Sequence, residues 1–249
     1  LGVWLSLIPS SDYGIVKMLL QLHRDFVVAD LNNLKDLDLV VLPSQKTLNT
    51  EEAQALQEWN EKGGKLIIFE KGGMLKGTEK FALDVGTRFV AHSPFDFDFT
   101  VIDEVLNDEV VSTPFVNYES GIRTKVTSGK PLAMIREPYF NRTYASYSSH
   151  RETPYKTTNS DYPAIVYHKN TIFFAHQIDQ LYYNHGMRIH RQLFENAINY
   201  LNYQPVVQVN HLPSAGKVSL LHQKKQIRFV VHLLYSPPLL RANNVEVLS

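Results

Sequence analysis

The chain has 249 residues, with 25 basic and 25 acidic side chains, so it carries no net field to draw in a phosphate backbone or an anionic membrane. It contains no cysteine, which excludes disulfides, thiolate zinc sites and a cysteine nucleophile. No apolar run approaches the roughly 18 to 20 residues of a membrane-spanning helix, and the opening LGVWLSLIPS has neither a basic flank nor a cleavage site.

The first third alternates strand and helix signals. GVWLSLI is a short apolar run suited to a buried strand, and Ser10, Ser11 and Asp12 offer N-caps to the helical stretch YGIVKMLLQLH. FVVADL and DLDLVVLP read as two further strands. LNTEEAQALQEWNEKGG then carries a full helix signature: Asn49 or Thr50 as cap, Glu51 and Glu52 in the first turn, Ala53, Leu56 and Trp59 on one face, and Gly63 and Gly64 as the stop. KLIIFE follows as the fourth strand. Strands separated by helices imply right-handed crossovers and a parallel sheet covered on both faces, an α/β doubly wound domain of flavodoxin-like type. Ligands in such sheets sit at the carboxyl ends of the strands, where LPSQKT and FEKGGMLKG lie.

The middle is less regular. FDFDFTVIDEVL, GIRTKVTSG and PLAMIRE read as strand or edge material, and PAIVYHKNTIFFAHQI as a hairpin around His168, Lys169 and Asn170. MRIHRQLFENAINYL has a helical period that suits it to cover the sheet. VVQVN, KVSLLHQ and IRFVVHLLY are β runs with no helix between them and are expected to pair antiparallel. A boundary near Pro205 therefore divides a 1–204 domain from a 205–249 antiparallel β segment, part of a C-terminal β module. The chain starts without Met in an apolar run and stops at NNVEVLS, and it reads as a piece of a longer protein.

One stretch has no period of either kind. PYFNRTYASYSSHRETPY, residues 138–155, concentrates tyrosine, arginine, histidine and amide side chains. Aromatic rings stack on the apolar faces of sugars while Arg, Asn and His donate to hydroxyls and carboxylates. The candidate ligand or interface residues are Tyr139, Asn141, Arg142, Tyr144, His150, Arg151 and Tyr155, with Tyr183, His185 and Arg188 from YYNHGMRIHR. The plainer reading is a long loop wrapped on the surface with its tyrosines half buried and its arginines paired.

Other chemistry is less supported. A triad drawn from Ser148 or Ser149, His150 and an aspartate has no nucleophile-elbow pattern behind it. His176, His185 and His190 are close in sequence, but His185 and His190 are not spaced to share a helical face, so no metal is expected. Asn141-Arg142-Thr143 matches a glycosylation acceptor by chance composition.

Several stretches together carry a family resemblance. LPSQKTLNTEEAQALQEWNEKGGKLIIFEKGG resembles the β-galactosidase trimerisation domain, a degenerate class I glutamine-amidotransferase-like module that follows the (β/α)8 barrel of family 42 β-galactosidases. PYFNRTYASYSSHRETPY, FFAHQIDQLYYNHGMRIHRQLFENAINYL and VNHLPSAGKVSLLHQKKQIRFVVHLL resemble the matching C-terminal region of bacterial glycoside hydrolases. The resemblance implies a noncatalytic assembly and active-site-completing domain without cofactor or catalytic residues of its own. Its parent would cleave O-glycosyl bonds with carboxylates on an upstream barrel. Glu70 stands near the position of the lost amidotransferase cysteine and reads as a surface or structural carboxylate. Partners implied are the barrel of the same or a neighbouring chain, carbohydrate, and further copies in a homo-oligomer; nucleic acid and a membrane span are not. The chain is expected to be soluble, in the cytoplasm or periplasm. The alternatives are an independent carbohydrate-binding module and a small hydrolase using His and Glu of the loop.

Overall fold

The computed structural model describes residues 1–235 and, for the backbone alone, Leu240–Ala242 and Val245–Glu246. In chain order, β1 (Gly2–Val3), α1 (Pro9–Gln21), β2 (Val27–Val28), β3 (Leu39–Leu42), α2 (Thr50–Glu61) and β4 (Lys65–Phe69) alternate as expected. Next come β5 (Thr87–Ala91), β6 (Asp98–Ile102), β7 (Phe115–Asn117), β8 (Arg123–Val126) and β9 (Lys130–Arg136) with no α-helix between them. The hairpin of β10 (Pro163–His168) and β11 (Thr171–Phe174) leads into α3 (Ile178–His185) and α4 (Arg188–Tyr200). A second hairpin, β12 (Gly216–Gln223) and β13 (Arg228–Tyr235), is followed by the short pair β14 (Leu240–Ala242) and β15 (Val245–Glu246).

Among the described residues, nine strands form one sheet in the order β2-β1-β3-β4-β11-β10-β9-β6-β7. The first five are parallel, and from β11 onward every neighbour is antiparallel. The expected parallel sheet is thus only half of the sheet observed. Crossover helices are what parallel pairing requires, and the chain supplies none between β5 and β10. β5 and β8 pair apart from the main sheet, antiparallel from Thr87 opposite Val126 to Ala91 opposite Arg123.

The parallel half is buried on both faces: Leu39 to Leu42, Leu66 to Phe69 and Ile172 to Phe174 are all shielded from water, whereas Val27 and Val28 on the edge strand are exposed. The β1–β2 and β3–β4 crossovers run in opposite directions across the sheet, so their shared right-handedness puts α1 and α2 on opposite faces. α1 and α3 touch backbone to backbone at Gly14, where an added Cβ would lie 1.9 Å from the Asp179 carbonyl oxygen. α4 covers the same face through Leu193, Phe194, Ala197 and Ile198, with the Phe194 ring set edge-on to Phe69 at 5.6 Å.

α2 begins as its sequence dictates. Asn49 Oδ1 accepts from the Glu52 N–H at 2.9 Å while Glu52 Oε2 accepts from the Asn49 N–H at 3.0 Å, a reciprocal capping box. α1 does not. Its N-cap is Ile8, and Ser10, Ser11 and Asp12 lie inside the first turn, because Pro9 already supplies a fixed helical φ at the first position. Asp12 instead reaches back to accept from the N–H groups of Ser6 and Leu7, each at 2.8 Å. This holds Leu7 at φ 66°, in the left-handed region, with its side chain in solvent.

VVQVN forms no strand and pairs with none among the described residues, and Pro205 before it has no N–H to give a ladder; KVSLLHQ and IRFVVHLLY do pair, from Gly216 opposite Tyr235 to Gln223 opposite Arg228. Most of the expected β segment beyond Tyr235 lies outside the described residues.

Candidate functional site at the carboxyl end of the sheet

β9 is antiparallel to β10, which is antiparallel to β11, so β9 points the same way as the parallel strands. The 138–155 loop that leaves β9 therefore emerges at the sheet end where β1, β3, β4 and β11 also finish. Its neck is closed by a bridge between Pro138 and Tyr155, by Tyr139 N–H donating to the Pro154 carbonyl at 3.1 Å, and by Thr153 Oγ1 donating to the Phe140 carbonyl at 2.6 Å. Closed ends and internal packing make it a compact Ω-type excursion. Asn141 pins it to the β5–β6 connection, accepting from the Asp96 N–H at 3.0 Å and donating to the Pro94 carbonyl at 2.9 Å.

Two clefts flank the loop. One, of about 500 Å3, is lined by Asp96, Phe97, Arg142, Tyr144, Tyr147 and Arg151. The Arg142 guanidinium lies 4.7 Å from the centre of the Tyr147 ring, and Tyr144 is fully exposed. The other, of about 370 Å3, includes Tyr118, His150, Glu152 and Tyr155. Here Tyr155 is edge-on to Phe99 at 5.1 Å, and Tyr118 meets the His185 ring at 4.8 Å. Ten residues singled out in the sequence are thus divided. Arg142, Tyr144 and Arg151 share the first cleft; His150 and Tyr155 share the second, with His185 beside it. Tyr139 is exposed at the neck and Asn141 holds the loop down. Tyr183 is half-buried on α3, and Arg188 pairs with Glu109 at a different cleft. Ser148 Oγ donates to the His150 carbonyl at 2.7 Å.

A buried polar network supports the loop from below. The Arg123 guanidinium donates to Asp98 Oδ2 at 2.9 Å, to the Gly121 carbonyl at 3.1 Å and to Ser93 Oγ at 2.9 Å. Its Nε lies 3.6 Å from Glu137, which in turn binds Lys156 at 2.9 Å, so both ends of the loop are tied to it. His176 Nε2 lies 2.6 Å from Asp98 Oδ1. Burial pushes the Asp98 carboxyl up, but the His176 and Arg123 charges outweigh it and hold the group below the usual carboxylate range. His190 Nε2 donates to Asn117 Oδ1 at 3.1 Å, and burial pushes this imidazole down to about 3, so it stays neutral. His176 and His190 are committed to Asp98 and Asn117.

Beside this network lie carboxyls that sequence reasoning largely missed. Glu70, directly after β4, is buried rather than on the surface, and it sits at φ 45° with its N–H donating to the Phe174 carbonyl at 2.7 Å. Gly72 is obligatory next to it, since a Cβ there would lie 2.7 Å from the Pro43 carbonyl oxygen. Burial raises Glu70 to about 7; Lys71 opposes the rise and the Asp179 and Glu119 charges add to it. Its Oε2 has no hydrogen-bond partner among the described residues. Asp179, at the start of α3, accepts from the Ser44 N–H at 2.8 Å, from Ser44 Oγ at 3.0 Å and from Ser11 Oγ. Burial nonetheless raises it to about 6. A separate cleft of about 710 Å3, beside Trp59 and Tyr203, lies at the opposite end of the sheet.

No family model matches the chain, and no curated protein sequence does. Solved structures do. An α-L-fucosidase isoenzyme 2 from Paenibacillus thiaminolyticus matches over 100% of this chain with a TM-score of 0.87 and 22% identity. A cold-adapted β-galactosidase from a Rahnella species matches over 88% with a TM-score of 0.58 and 12% identity. A ThuA-like protein from Bacteroides uniformis matches over 82% at 0.52 and 12%, and 91% of that protein is covered. At these identities the likeness establishes a shared fold. The chain spans 39% of the fucosidase and 33% of the β-galactosidase. The fold is therefore one found within glycoside hydrolase chains. No helix among the described residues is long and apolar enough to cross a membrane.

Proposed function

We propose that this chain is a noncatalytic assembly and active-site-completing domain of a glycoside hydrolase. It is of the β-galactosidase trimerisation type, built on a degenerate glutamine-amidotransferase-like, flavodoxin-like fold, with residues 1–204 as the domain and 205–249 opening a β module. The order β2-β1-β3-β4-β11 supports this, since it is the doubly wound flavodoxin-like order with one later strand in fifth place. So does the fold shared with a fucosidase and a β-galactosidase, each more than twice as long as the matched segment. On this reading Tyr144, Tyr147, Arg142 and Arg151 of the loop face the barrel of the same or a neighbouring chain and close its sugar cavity. The two carboxyl groups that glycosidic cleavage needs then belong to the barrel.

The observation that carries the reading is the first loop cleft, where the Tyr144 and Tyr147 rings stand open to solvent beside Arg142 and Arg151. A rigid aromatic platform next to guanidinium donors is suited to sugar stacking with hydrogen bonding at the ring edge. Arg142→Ala and His150→Ala in the full-length enzyme are expected to lower kcat/KM about tenfold or more with thermal unfolding unchanged. Wild-type kinetics in both variants would remove the proposal. The same cleft also suits an independent carbohydrate-binding module, and saccharide binding by the isolated chain in calorimetry would favour that reading.

A further inference from the structure

A fourth cleft lies on the helical face, away from the loop, and its charge is unbalanced. It holds about 430 Å3 between the C-terminal end of α1, the first two turns of α4 and the 208–214 segment. Arg24, Arg188 and Arg191 line it, as do Glu109 and Glu195. The two acids are already engaged: Glu195 with Arg24 at 3.3 Å, and Glu109 with Arg188. Arg191 has no ion pair among the described residues. Its Nη1 donates to Gln21 Oε1 at 3.1 Å, a neutral acceptor, and its Nε is buried with no partner. The Arg24 Nε is likewise buried and unpartnered.

The placement of these arginines breaks a local rule. The first turn of a helix favours acids, because its free N–H groups carry partial positive charge. α4 has no acid in its first turn and no side-chain cap at Met187. It places Arg188 at its first position and Arg191 one turn on. Two guanidinium groups are thereby added to a helix end that is already positive, and of the two only Arg188 has an acid, Glu109, beside it. Such a local conflict has an evident compensation only if something negative occupies the cleft.

We propose that this cleft binds a small oxyanion, a carboxylate or phosphate group, with Arg191 as its principal donor and Arg188 at its mouth. A planar guanidinium matches both groups in bidentate geometry. This site is independent of the loop, and either can fail without the other.

The test is calorimetric titration of the full-length protein with inorganic phosphate and, separately, with glucuronate, at matched ionic strength against chloride. At least one oxyanion is expected to bind with a dissociation constant of about 1 mM or tighter. Tighter binding of glucuronate identifies a sugar acid as the source of the group, and tighter binding of phosphate identifies a phosphate ester or the free ion. Arg191→Gln is expected to weaken binding about tenfold or more, and Arg191→Lys, a point charge without the fork, to retain part of it. Arg188→Gln, at an exposed side chain, is expected to weaken binding with thermal unfolding unchanged. Binding no tighter than chloride, or equal binding by wild type, Arg191→Gln and Arg188→Gln, overturns the proposal.

Discussion

Arg123 donates to Asp98 Oδ2 at 2.9 Å with both side chains closed to water. Removing one partner of such a pair leaves a charge that the interior cannot solvate, at a cost of about 3 to 5 kcal/mol. His176 remains to share the Asp98 charge, so the lower end applies. Arg123→Gln is expected to lower the urea midpoint accordingly. It also cuts the tie to Glu137, so proteolysis within 141–152 is expected to speed up. An unchanged midpoint would show that His176 alone satisfies Asp98.

Glu70 sets a pH dependence. Its carboxyl ionises near 4.5 in the unfolded chain and near 7 when folded, so the folded state holds the proton more tightly. The contribution to stability is full below 4.5 and is lost as pH rises through 7. At roughly 1.4 kcal/mol per pH unit, the loss is on the order of 3 kcal/mol. Glu70→Gln keeps the shape without the charge. It is expected to raise stability at pH 8 and leave it unchanged at pH 4, as read from denaturant unfolding across that range. Parallel profiles for variant and wild type would move the titration to Asp179.

Asp12 and Leu7 form a second testable pair. A left-handed leucine costs about 1 to 2 kcal/mol, and two backbone N–H groups bound to the Asp12 carboxylate hold it there. Asp12→Ala is expected to cost about 2 kcal/mol, whereas Leu7→Gly is expected to stay within about 0.5 kcal/mol of wild type, since relief of strain offsets the added unfolded-state freedom. A large loss with Leu7→Gly would mean that the leucine side chain, not its backbone, is what the turn needs.

Gly14→Ala tests the contact of α1 with α3. Alanine is the better helix former by about 1 kcal/mol, yet its Cβ would sit 1.9 Å from the Asp179 carbonyl oxygen. Net destabilisation of about 2 kcal/mol or more is expected from the forced separation of the helices. A stabilised variant would show that α3 yields without cost.

What the sequence revealed follows the range of the forces involved. Asn49, Glu52, Gly63 and Gly64 announce α2 because caps act within one turn, and the turn at Lys169, φ 51°, announces the β10–β11 hairpin. β5 is largely exposed and β7 is only three residues long, so neither leaves a period to read. α3 follows an N-cap, Gln177, that makes no side-chain hydrogen bond, so nothing local marks its start and it went unread; Gly186 at φ 60° closes it. In the candidate site, composition alone singled out the loop and Glu70 was noted by its place after a strand. The burial of Glu70, and the charge that Asp179, held by Ser11 and Ser44, exerts on it, depend on four separate elements and leave no local trace. The separation of Tyr183 and Arg188 from the loop is likewise set by how α3 and α4 pack.

β4 and β11 lie side by side, from Leu66 opposite Thr171 to Phe69 opposite Phe174, although all of 70–170 intervenes along the chain. Joining strands across so long a closure is late and slow work for a folding chain. β11 belongs to a tight hairpin with β10, and β10 in turn pairs with β9, so the place of β11 beside β4 also sets the places of β10 and β9. The parallel and antiparallel halves therefore share β11 as their joint strand, and neither is complete without it. The loop bearing Arg142 and Tyr144 leaves β9 at the strand ends, so its ordered face depends on both halves of the sheet being in place.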